Sequence, residues 1–431
     1  MENKVYNTKL GDIHYWINKT ASNTNIQLIF LPGLTADHTL FEKQIEYFEG
    51  KYPIFVWDAP GHASSYPFEF NFSLMDKAKW LDEILIKEGF NNPIIIGQSM
   101  GGYVGQAYSQ LYPDKLKGFI SIDSAPLQKE YVTNMEIWLL KRMRNVYKYY
   151  PWKSLLKLGS NGVATSKYGR ELMHKIMMTY DGNQDWYSKL AGHGYKILAE
   201  AMEANLPYEI KCPALLICGE KDHAGSCIRY NKAWHKKTGI PIEWIKDAGH
   251  NSNTDKPELI NKLIEDFVKC IKTKENMIIR RFEEKDAKEV SDLIVRTLRE
   301  VNIKDYSKEY IENDVKVLQP ENILERSTWT HMYVVCDEDK IVGCGAIGPY
   351  WDKEDESSLF TIFVLPEYHG RGIGRKIIET LESDEYFLRA KRIEIPASIT
   401  ATPFYLKMGY NYKNGITTPD EEGLLRLEKH R

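Results

Sequence analysis

Two glycine-rich turns, far apart in the chain, constrain its fold more than any other feature. Residues 97–101 read Gly-Gln-Ser-Met-Gly and directly follow the apolar run Pro93–Ile96. Residues 370–374 read Gly-Arg-Gly-Ile-Gly, follow the apolar run Leu359–Val364 and open a helical pattern. The first pattern is typical of a strained strand-to-helix turn that exposes a serine nucleophile. The second can hold a phosphate through backbone N–H groups at a helix N-terminus. Nucleophilic catalysis by a serine and phosphate binding by backbone amides need separate pockets, so the sequence predicts two enzymes in tandem.

The length and composition fit more than one globular domain. The chain has 431 residues, 43% of them hydrophobic and 27% charged, and a net charge of −3. This charge gives no whole-chain footprint for nucleic acid or for an anionic membrane. No apolar run approaches the roughly 20 residues that span a bilayer, and the N-terminus lacks the apolar region of a signal peptide. We therefore expect a cytoplasmic protein that acts on small molecules, with no nucleic-acid or membrane partner.

The six cysteines are scattered and form no Cys-x-x-Cys pair. They read as reduced, buried thiols, and no His/Cys cluster has metal-ligand spacing. We therefore expect no metal site. The cysteines are Cys212, Cys218, Cys227, Cys270, Cys336 and Cys344.

Residues 1–271 alternate short apolar runs with helical patterns. Strands alternating with helices predict βαβ units and a mostly parallel sheet. Between Leu127 and Leu206 the strand signal disappears, and a helical stretch rich in aromatic residues and methionine predicts an inserted lid over residues 127–206. The predicted strands are Ile26–Leu31, Ile54–Trp57, Pro93–Ile96, Phe119–Ile122, Ala214–Cys218 and Ile242–Ile245.

A second domain is predicted after the helix Glu258–Lys269 and a short polar linker, Lys272–Asn276. It spans residues 277–431 and mixes strands with helices without repeating the first domain. Its predicted strands are Met277–Phe282, His331–Cys336, Ile341–Ile347, Leu359–Val364, Arg392–Pro396 and Leu424–Glu428, and its helices Asp286–Glu300, Ser307–Leu318, Arg375–Glu382 and Pro403–Met408.

Three residues of the first domain have the types and the order of a serine-hydrolase triad. A serine hydroxyl becomes a nucleophile when a base takes its proton and a third group orients that base. Ser99 is followed by Asp222 and His250, each just after a predicted strand, where a parallel sheet gathers its active groups. We predict Ser99 as nucleophile, His250 as base and Asp222 as the orienting acid. Asp123 also follows a predicted strand and is a rival acid. Backbone N–H groups of Leu34 and Met100 are the candidate oxyanion donors.

The first 270 residues resemble the α/β-hydrolase superfamily, and within it the lid-bearing esterase-like and proline-iminopeptidase-like members. This resemblance implies the α/β-hydrolase fold, hydrolysis of a carboxylic ester or amide, and no cofactor. Leu-Pro-Gly stands where many members have His-Gly, a departure that keeps the N–H donor. The motifs LPGLTAD, WDAPGHASS, GQSMGG, GEKD and DAGHN stand in the family's order.

The second glycine turn follows roughly the fourth strand of its domain, whereas a dinucleotide-binding turn would follow the first. With Phe-Tyr-x-x-x-Gly-Tyr at 404–410, this domain resembles the GNAT N-acetyltransferase family and an α+β fold. The family's turn motif is Arg/Gln-x-x-Gly-x-Gly/Ala, and His369 departs from it. The resemblance implies acetyl-CoA as cosubstrate, with the backbone of Phe363 and Val364 beside its pantetheine arm. The implied cofactor-binding residues of the turn are His369 and, through N–H groups that would bind the pyrophosphate, Gly370, Arg371, Gly372, Ile373, Gly374 and Arg375.

Acetyl transfer to an amine also needs groups that move protons. The amine must lose a proton, and the leaving thiolate must gain one. Tyr405 matches the tyrosine of the family motif and is the candidate acid. Glu356 is a candidate base acting through water. The family's asparagine before this helix is absent, which leaves Thr400 or Thr402 in that place.

Together these features predict a bifunctional enzyme, a serine hydrolase joined to an acetyl-CoA-dependent N-acetyltransferase of a small-molecule amine. The alternative is that only the hydrolase half is catalytic and that the other half binds CoA or acts as a scaffold.

Overall fold

The structure, a computed structural model, describes residues 1–19, 25–91, 93–206, 210–351 and 353–431. The chain divides into two compact units, Met1–Ile271 and Lys272–Arg431. Among the described residues, no helix combines the length and the apolar character of a membrane span.

The N-terminal unit is built on an eight-stranded sheet in the order β1-β2-β4-β3-β5-β6-β7-β8. Strands β3 to β8 pair in parallel, and β1 and β2 form an antiparallel hairpin that joins the sheet through β4. The strands are β1 Glu2–Thr8, β2 Gly11–Asn18, β3 Leu28–Leu31, β4 Ile54–Trp57, β5 Ile94–Gln98, β6 Gly118–Ile122, β7 Ala214–Gly219 and β8 Ile242–Ile245.

The mostly parallel sheet confirms the predicted fold class, although the hairpin β1–β2 was not predicted. Every residue of β3, β4, β5 and β6 is buried, as expected when helices cover both faces of a parallel sheet. Strand β2 buries only alternate residues, Ile13, Tyr15 and Ile17, so its apolar signal is weaker.

Helices cover this sheet, and five of them, α4 to α8, form the predicted lid between β6 and β7. The lid rests on the loops above the sheet: Tyr180 donates its hydroxyl to Thr35 O at 3.2 Å, and Trp186 donates Nε1–H to Gly61 O at 3.0 Å. The helices are α1 Glu42–Phe48, α2 Leu74–Glu88, α3 Met100–Leu111, α4 Asn134–Leu140, α5 Met143–Tyr149, α6 Trp152–Asn161, α7 Lys167–Met178, α8 Gln184–Ala204, α9 Cys227–Thr238, α10 Ser252–Asp255 and α11 Pro257–Asn276.

The predicted linker Lys272–Asn276 lies inside α11, which is seven residues longer at its C-terminal end than the predicted helix ending at Lys269. The stretch Lys-Thr-Lys-Glu-Asn contains neither proline nor glycine, so nothing in it forces the helix to stop. The stretch is therefore helical, and the division into two compact units falls at its start, between Ile271 and Lys272.

The C-terminal unit has a seven-stranded sheet in the order β14-β15-β13-β12-β11-β10-β9, antiparallel except for the pair β12–β13. Helix α14 was not predicted, and α15 begins two residues before the predicted start. The elements are β9 Met277–Arg281, α12 Ala287–Glu300, α13 Lys308–Val317, α14 Pro320–Trp329, β10 His331–Asp337, β11 Lys340–Tyr350, β12 Lys353–Val364, α15 Ile373–Glu382, α16 Glu385–Arg389, β13 Arg392–Ala397, α17 Thr402–Lys407, β14 Asn411–Tyr412 and β15 Leu425–His430.

Strands β12 and β13 pair only at one end. The register joins Glu356–Ser358 to Arg392–Glu394 and stops there, so β13 does not cover the rest of β12, Leu359–Val364. Within that segment β12 bulges against β11, and Thr361 has the left-handed φ of 53°. The sheet therefore opens between its two parallel strands.

Candidate active sites

Ser99 lies at the sharp turn between β5 and α3, with φ 49° and ψ −115°. A non-glycine residue in this backbone conformation is strained, and close packing around the turn maintains the conformation. A Cβ atom at Gly101 would lie 1.9 Å from Leu31 O, and one at Gly97 would lie 2.4 Å from the backbone of Gly101. Only glycine fits both positions, and the Ser99 side chain is thereby held at the carboxyl edge of the sheet.

A chain of hydrogen bonds joins the three residues predicted as a triad. His250 Nε2 lies 2.9 Å from Ser99 Oγ, and His250 Nδ1 lies 2.9 Å from Asp222 Oδ2. The second oxygen of Asp222 accepts the N–H of Ala224 at 2.8 Å. Asp222 is buried and accepts a hydrogen bond at each of its oxygens, so it can fix the orientation of the imidazole.

The electrostatics of the hydrogen-bonded series Ser99, His250 and Asp222 favour a charged imidazole. Burial opposes charge on His250, but the charge of Asp222 and its hydrogen bond outweigh burial, and the pKa of His250 lies above its usual 6.5. Burial likewise opposes charge on Asp222, and His250 nevertheless holds the pKa of that carboxyl below its usual value. An imidazole with this partner is suited to accept a proton from a hydroxyl.

Asp123, the rival acid, does not contact His250. Its Oδ1 accepts the N–H of Gly219 at 2.8 Å, and its Oδ2 accepts the N–H and the hydroxyl of Ser252 at 2.8 and 2.6 Å. Burial and then the charge of Asp222 raise the pKa of Asp123. Asp123 therefore joins the end of β7 and the start of α10, the elements next to Asp222 and His250, to the end of β6.

Gln98 was not predicted to matter, yet it fixes the histidine loop from the residue before Ser99. Its Nε2 donates to His250 O at 2.8 Å and to Asn251 Oδ1 at 3.1 Å. A Cβ at Gly33 would lie 2.3 Å from its Oε1, so the turn after β3 is in contact with the same side chain. A partner about 150 positions away leaves no local signal in the sequence.

The two candidate oxyanion donors belong to the turns on either side of Ser99. Met100 is the first residue of α3, where N–H groups have no acceptor inside the helix. Leu34 follows Gly33, whose Cβ position lies 3.2 Å from Ser99 Cβ, and the Leu34 side chain packs against Gly194 of α8. The backbone of both residues is therefore near the serine.

Partly buried tyrosines lie on α3 and on helices α5 and α8. Tyr103 lies one turn after Ser99, and burial, followed by the nearby Cys227, Tyr230 and Tyr195, raises its pKa. The hydroxyls of Tyr147 and Tyr195 lie 3.4 Å apart, and their rings stack at 6.0 Å.

Two thiols lie beside the acid, an arrangement that the cysteine spacing did not reveal. The sulfur atoms of Cys218 and Cys227 and a carboxylate oxygen of Asp222 lie within 4.8 Å of one another, and all three residues are buried. Cys227 also donates to Ser124 O at 3.6 Å. The three residues come from the end of β7, the loop after it and the start of α9, so only the fold brings them together.

In the C-terminal unit, the second glycine turn leads into α15. Gly370 and Gly372 have φ 76° and 84°, conformations that favour glycine, and Gly372 is the N-cap of the helix. The N–H groups of Ile373, Gly374 and Arg375 form the first turn of α15 and have no acceptor inside the helix. His369 donates Nε2–H to Val364 O at 2.8 Å and closes the turn. The turn is therefore a backbone cradle that fits a phosphate.

The open edge of β12 leads toward this cradle. Leu365 donates its N–H to Val342 O of β11, so the N–H of Val364, one residue earlier, points to the other side of the strand. Both residues pair with β11, Val364 with Gly343 and Phe363 with Cys344, but the N–H of Phe363 points toward β11. An extended amide chain such as pantetheine fits beside Val364, so the residues present fit acetyl-CoA.

The candidate proton-transfer residues differ in their surroundings. Tyr405 is buried beside Phe404 and Tyr410, and burial raises its pKa, which keeps its hydroxyl protonated. Glu356 is held in ion pairs by Arg392 and by Lys353, whose hydrogen bond is the first cause that lowers its pKa. A paired carboxylate of low pKa is a poor base, so Glu356 does not suit that role.

The two threonines considered in place of the family asparagine are also engaged. The hydroxyl of Thr400 donates to Asp305, and that of Thr402 donates to Ser398 O at 2.9 Å. Neither hydroxyl proton is free for a substrate.

Comparison with protein families assigns both units. A family model described as "alpha/beta hydrolase fold" matches residues 27–257, just over half of the chain. A model described as "Acetyltransferase (GNAT) domain" matches residues 328–412.

Several similar proteins are named as esterases. A pimeloyl-[acyl-carrier protein] methyl ester esterase of Wigglesworthia glossinidia brevipalpis is 24% identical over 46% of this chain and 75% of its own. A putative esterase/lipase 2 of Mycoplasma genitalium is 26% identical over 62% of this chain and 96% of its own. The structure of a thermophilic esterase from Thermogutta terrifontis matches with a TM-score of 0.52 at 17% identity, over 63% of this chain and 99% of its own. At that identity the structural match shows the fold.

Proposed function

The chain belongs to the α/β-hydrolase fold family and carries a GNAT domain after it, and from this premise we propose that it is a bifunctional enzyme. The N-terminal unit is a serine hydrolase of carboxylic esters. The C-terminal unit is an acetyl-CoA-dependent N-acetyltransferase of a small-molecule amine. The observation that carries the first half is the hydrogen-bonded series Ser99, His250 and Asp222 at the end of a parallel sheet.

Ester hydrolysis follows from that geometry in two steps. His250 takes the Ser99 proton as Oγ attacks the ester carbonyl carbon, and the N–H groups of Met100 and Leu34 stabilise the oxyanion. His250 then gives the proton to the departing alcohol, which leaves an acyl-serine. A water molecule, deprotonated by the same imidazole, releases the acid and restores Ser99.

The direct test of this half is covalent labelling with a fluorophosphonate, which reacts with activated serines. We expect one label per chain, on the peptide that contains Ser99, and none after Ser99→Ala. A label on another serine would contradict the assignment.

The pH dependence of ester hydrolysis should report His250. Only the neutral imidazole can accept the Ser99 proton, so kcat/KM should rise with pH through the pKa of His250 and be lost as the pH falls below it. Asp222 raises that pKa, so the midpoint should lie above 6.5. A pH-stat assay with a short alkyl ester measures it, because the leaving alcohol does not titrate. A midpoint well below 6.5 would contradict the proposed pairing.

The second half rests on the cradle at Gly370–Arg375 and the open edge of β12. Acetyl-CoA, when bound, supplies the thioester that an amine can attack. The N–H groups of the cradle would hold its pyrophosphate, and the N–H of Val364 its pantetheine arm. Tyr405, kept protonated by burial, would give its proton to the departing thiolate.

Gly372→Val tests the cradle. A valine at φ 84° is strained and would displace N–H donors that the pyrophosphate needs. The loss of one or two charge-assisted hydrogen bonds and a clash amounts to about 2–4 kcal/mol, or a roughly 30- to 1,000-fold weaker affinity for acetyl-CoA. Calorimetry with acetyl-CoA measures it.

Gly415→Val is the matched control, because Gly415 has φ 71° and no atom within 4 Å of its Cβ position. It carries the same backbone strain away from the cradle and should bind acetyl-CoA normally. Ester hydrolysis should stay near wild type in both variants. Unchanged binding by Gly372→Val would remove the acetyl-CoA site from this turn.

The engaged state of Glu356, Thr400 and Thr402 favours a second candidate for this unit, an acetyl-CoA-binding domain without transferase activity. Release of the CoA thiol in the presence of amines separates the two. Binding of acetyl-CoA without release of the CoA thiol, whichever amine is added, would favour the binding domain.

A further inference from the structure

Arg326 of α14 is a half-buried cation with no carboxylate partner among the described residues. Its Nη1 donates to Thr361 Oγ1 at 2.6 Å, and no Asp or Glu of the described residues lies within ion-pair distance of its guanidinium. The same unit pairs its other inward arginines: Arg280 with Asp286, and Arg392 with Glu356 and Glu394. Burial lowers the pKa of Arg326, so its charge is poorly solvated. An unbalanced cation of this kind is suited to an anion that is not part of the chain.

The group that Arg326 contacts lies at the opening of the sheet. Thr361 is the bulged residue of β12 with φ 53°, inside the segment Leu359–Val364 that β13 does not cover. Bulges beside functional sites redirect side chains. The guanidinium therefore lies beside the part of β12 where an acetyl group and its acceptor would meet.

Arg326 lies on the face of the sheet opposite to the phosphate cradle. The next residue of β12, Ile362, points to the other face, where a Cβ at Gly345 would contact Ile362 and Ile377 of α15. Helix α15 carries the cradle at its N-terminus, whereas Arg326 approaches Thr361 from α14. The pyrophosphate and the anion of Arg326 would therefore be different groups.

The helix that carries Arg326 also presents an aromatic side chain to the neighbouring residue of β12. Trp329, almost one turn further along α14, packs its ring edge-on against Phe360 at 5.3 Å. The Trp329 side chain is 43% exposed, so part of its face is accessible. Helix α14 therefore brings a cation to Thr361 and a partly exposed apolar ring to Phe360, two neighbouring residues of β12.

We propose that Arg326 binds the carboxylate of the acceptor, and that the C-terminal unit acetylates amino acids with apolar side chains. This inference rests on the acetyltransferase function proposed above. A guanidinium fork matches a planar carboxylate with two parallel hydrogen bonds, and one cation balances one negative charge. The amine nitrogen attacks the thioester carbonyl carbon and loses a proton, the carbon–sulfur bond breaks, and the sulfur gains a proton. The products are an N-acetyl amino acid and CoA.

Pairs of ligands that differ only in the carboxylate test this site. The pairs are L-leucine with 3-methylbutylamine and L-phenylalanine with 2-phenylethylamine. Each is titrated by calorimetry into the full-length protein saturated with CoA, which cannot react. We expect each amino acid to bind about 100-fold more tightly than its amine, and Arg326→Gln to remove that difference. Arg326→Lys should keep only part of it, because an ammonium cannot form the two-pronged contact.

Arg299→Gln is the matched control, since it removes one positive charge from a surface ion pair with Glu312 in the same unit. It should leave the preference intact, and ester hydrolysis and CoA affinity should be unchanged in all variants. Equal affinity for both members of each pair, no binding of either amino acid, or a preference that survives Arg326→Gln would overturn the inference. If CoA and acetyl-CoA do not bind, the acetyltransferase proposal fails as well. Normal CoA binding without a carboxylate preference overturns the role of Arg326 alone.

Discussion

Replacing Ser99 by alanine should reduce ester hydrolysis by a factor on the order of 10⁴ to 10⁶. The attacking atom is Ser99 Oγ, and neither His250 nor the oxyanion donors can replace a nucleophile. The backbone donors remain in place, so a small rate above the uncatalysed reaction should persist. Because the side chain is lost at a turn already held by Gly97 and Gly101, the thermal midpoint should change little.

The measurement is kcat/KM on short acyl esters with active-site titration of the wild-type protein. Ser64→Ala is the matched control, because Ser64 is an exposed serine in the loop after β4. It should keep wild-type activity. Acetyl-CoA affinity in the Ser99 variant should also be unchanged, since that site belongs to the other unit. Activity above about 1% of wild type would show that another residue supplies the nucleophile.

The strands of the N-terminal unit could be predicted because they are buried on both faces. Runs such as Ile54–Trp57 and Ile94–Ile96 are continuous and apolar, and each ends at a polar turn at the same sheet edge. That edge placement is what allowed Ser99, Asp222 and His250 to be chosen from sequence. Strand β2, half-buried, gave only an alternating pattern and escaped prediction.

The remaining site residues depend on contacts that local sequence cannot report. Gln98 meets the loop of His250 about 150 positions away, and Cys227 meets Asp222 only because α9 starts beside it. Arg326 lies in a helix that was not predicted, and its contact with Thr361 depends on the bulge of β12. Glu356 looked like a candidate base because its partner Arg392 lies 36 positions further along. Long-range pairing therefore decided which polar side chains remain available.

Asp123 and Asp222 both follow parallel strands, so placement at the sheet edge does not by itself separate the two acids, although Asp222 was the acid predicted from the sequence. The choice depends on which carboxylate the imidazole meets, and that contact depends on the loop after β7. Ala224 N–H binds one oxygen of Asp222 and leaves the other for His250 Nδ1. Asp123 directs both of its oxygens to Gly219 and Ser252 instead.

Asp222→Asn should therefore lower kcat for ester hydrolysis by about 10⁴-fold, the cost of a wrong imidazole tautomer. The N–H of Ala224 would retain the amide oxygen, so the amide NH₂ would face His250 Nδ1. The imidazole would then carry its proton on Nε2, where it cannot accept one from Ser99. Asp123→Asn disturbs three donors to one carboxylate and should cost stability, on the order of 1–3 kcal/mol, with a loss of activity of about tenfold.

Steady-state kinetics on both variants, with nitrogen NMR of the imidazole to report its tautomer, distinguishes the two acids. The tautomer should change in Asp222→Asn and be retained in Asp123→Asn, whereas the thermal midpoint should fall more in Asp123→Asn. His223→Ala is the matched control for the loop, because His223 is the exposed neighbour of Asp222, and it should leave both readouts unchanged. If both variants are fully folded and kcat falls further in Asp123→Asn than in Asp222→Asn, the orienting acid is Asp123. The hydrogen bond from His250 to Asp222 would then serve only to hold the loop.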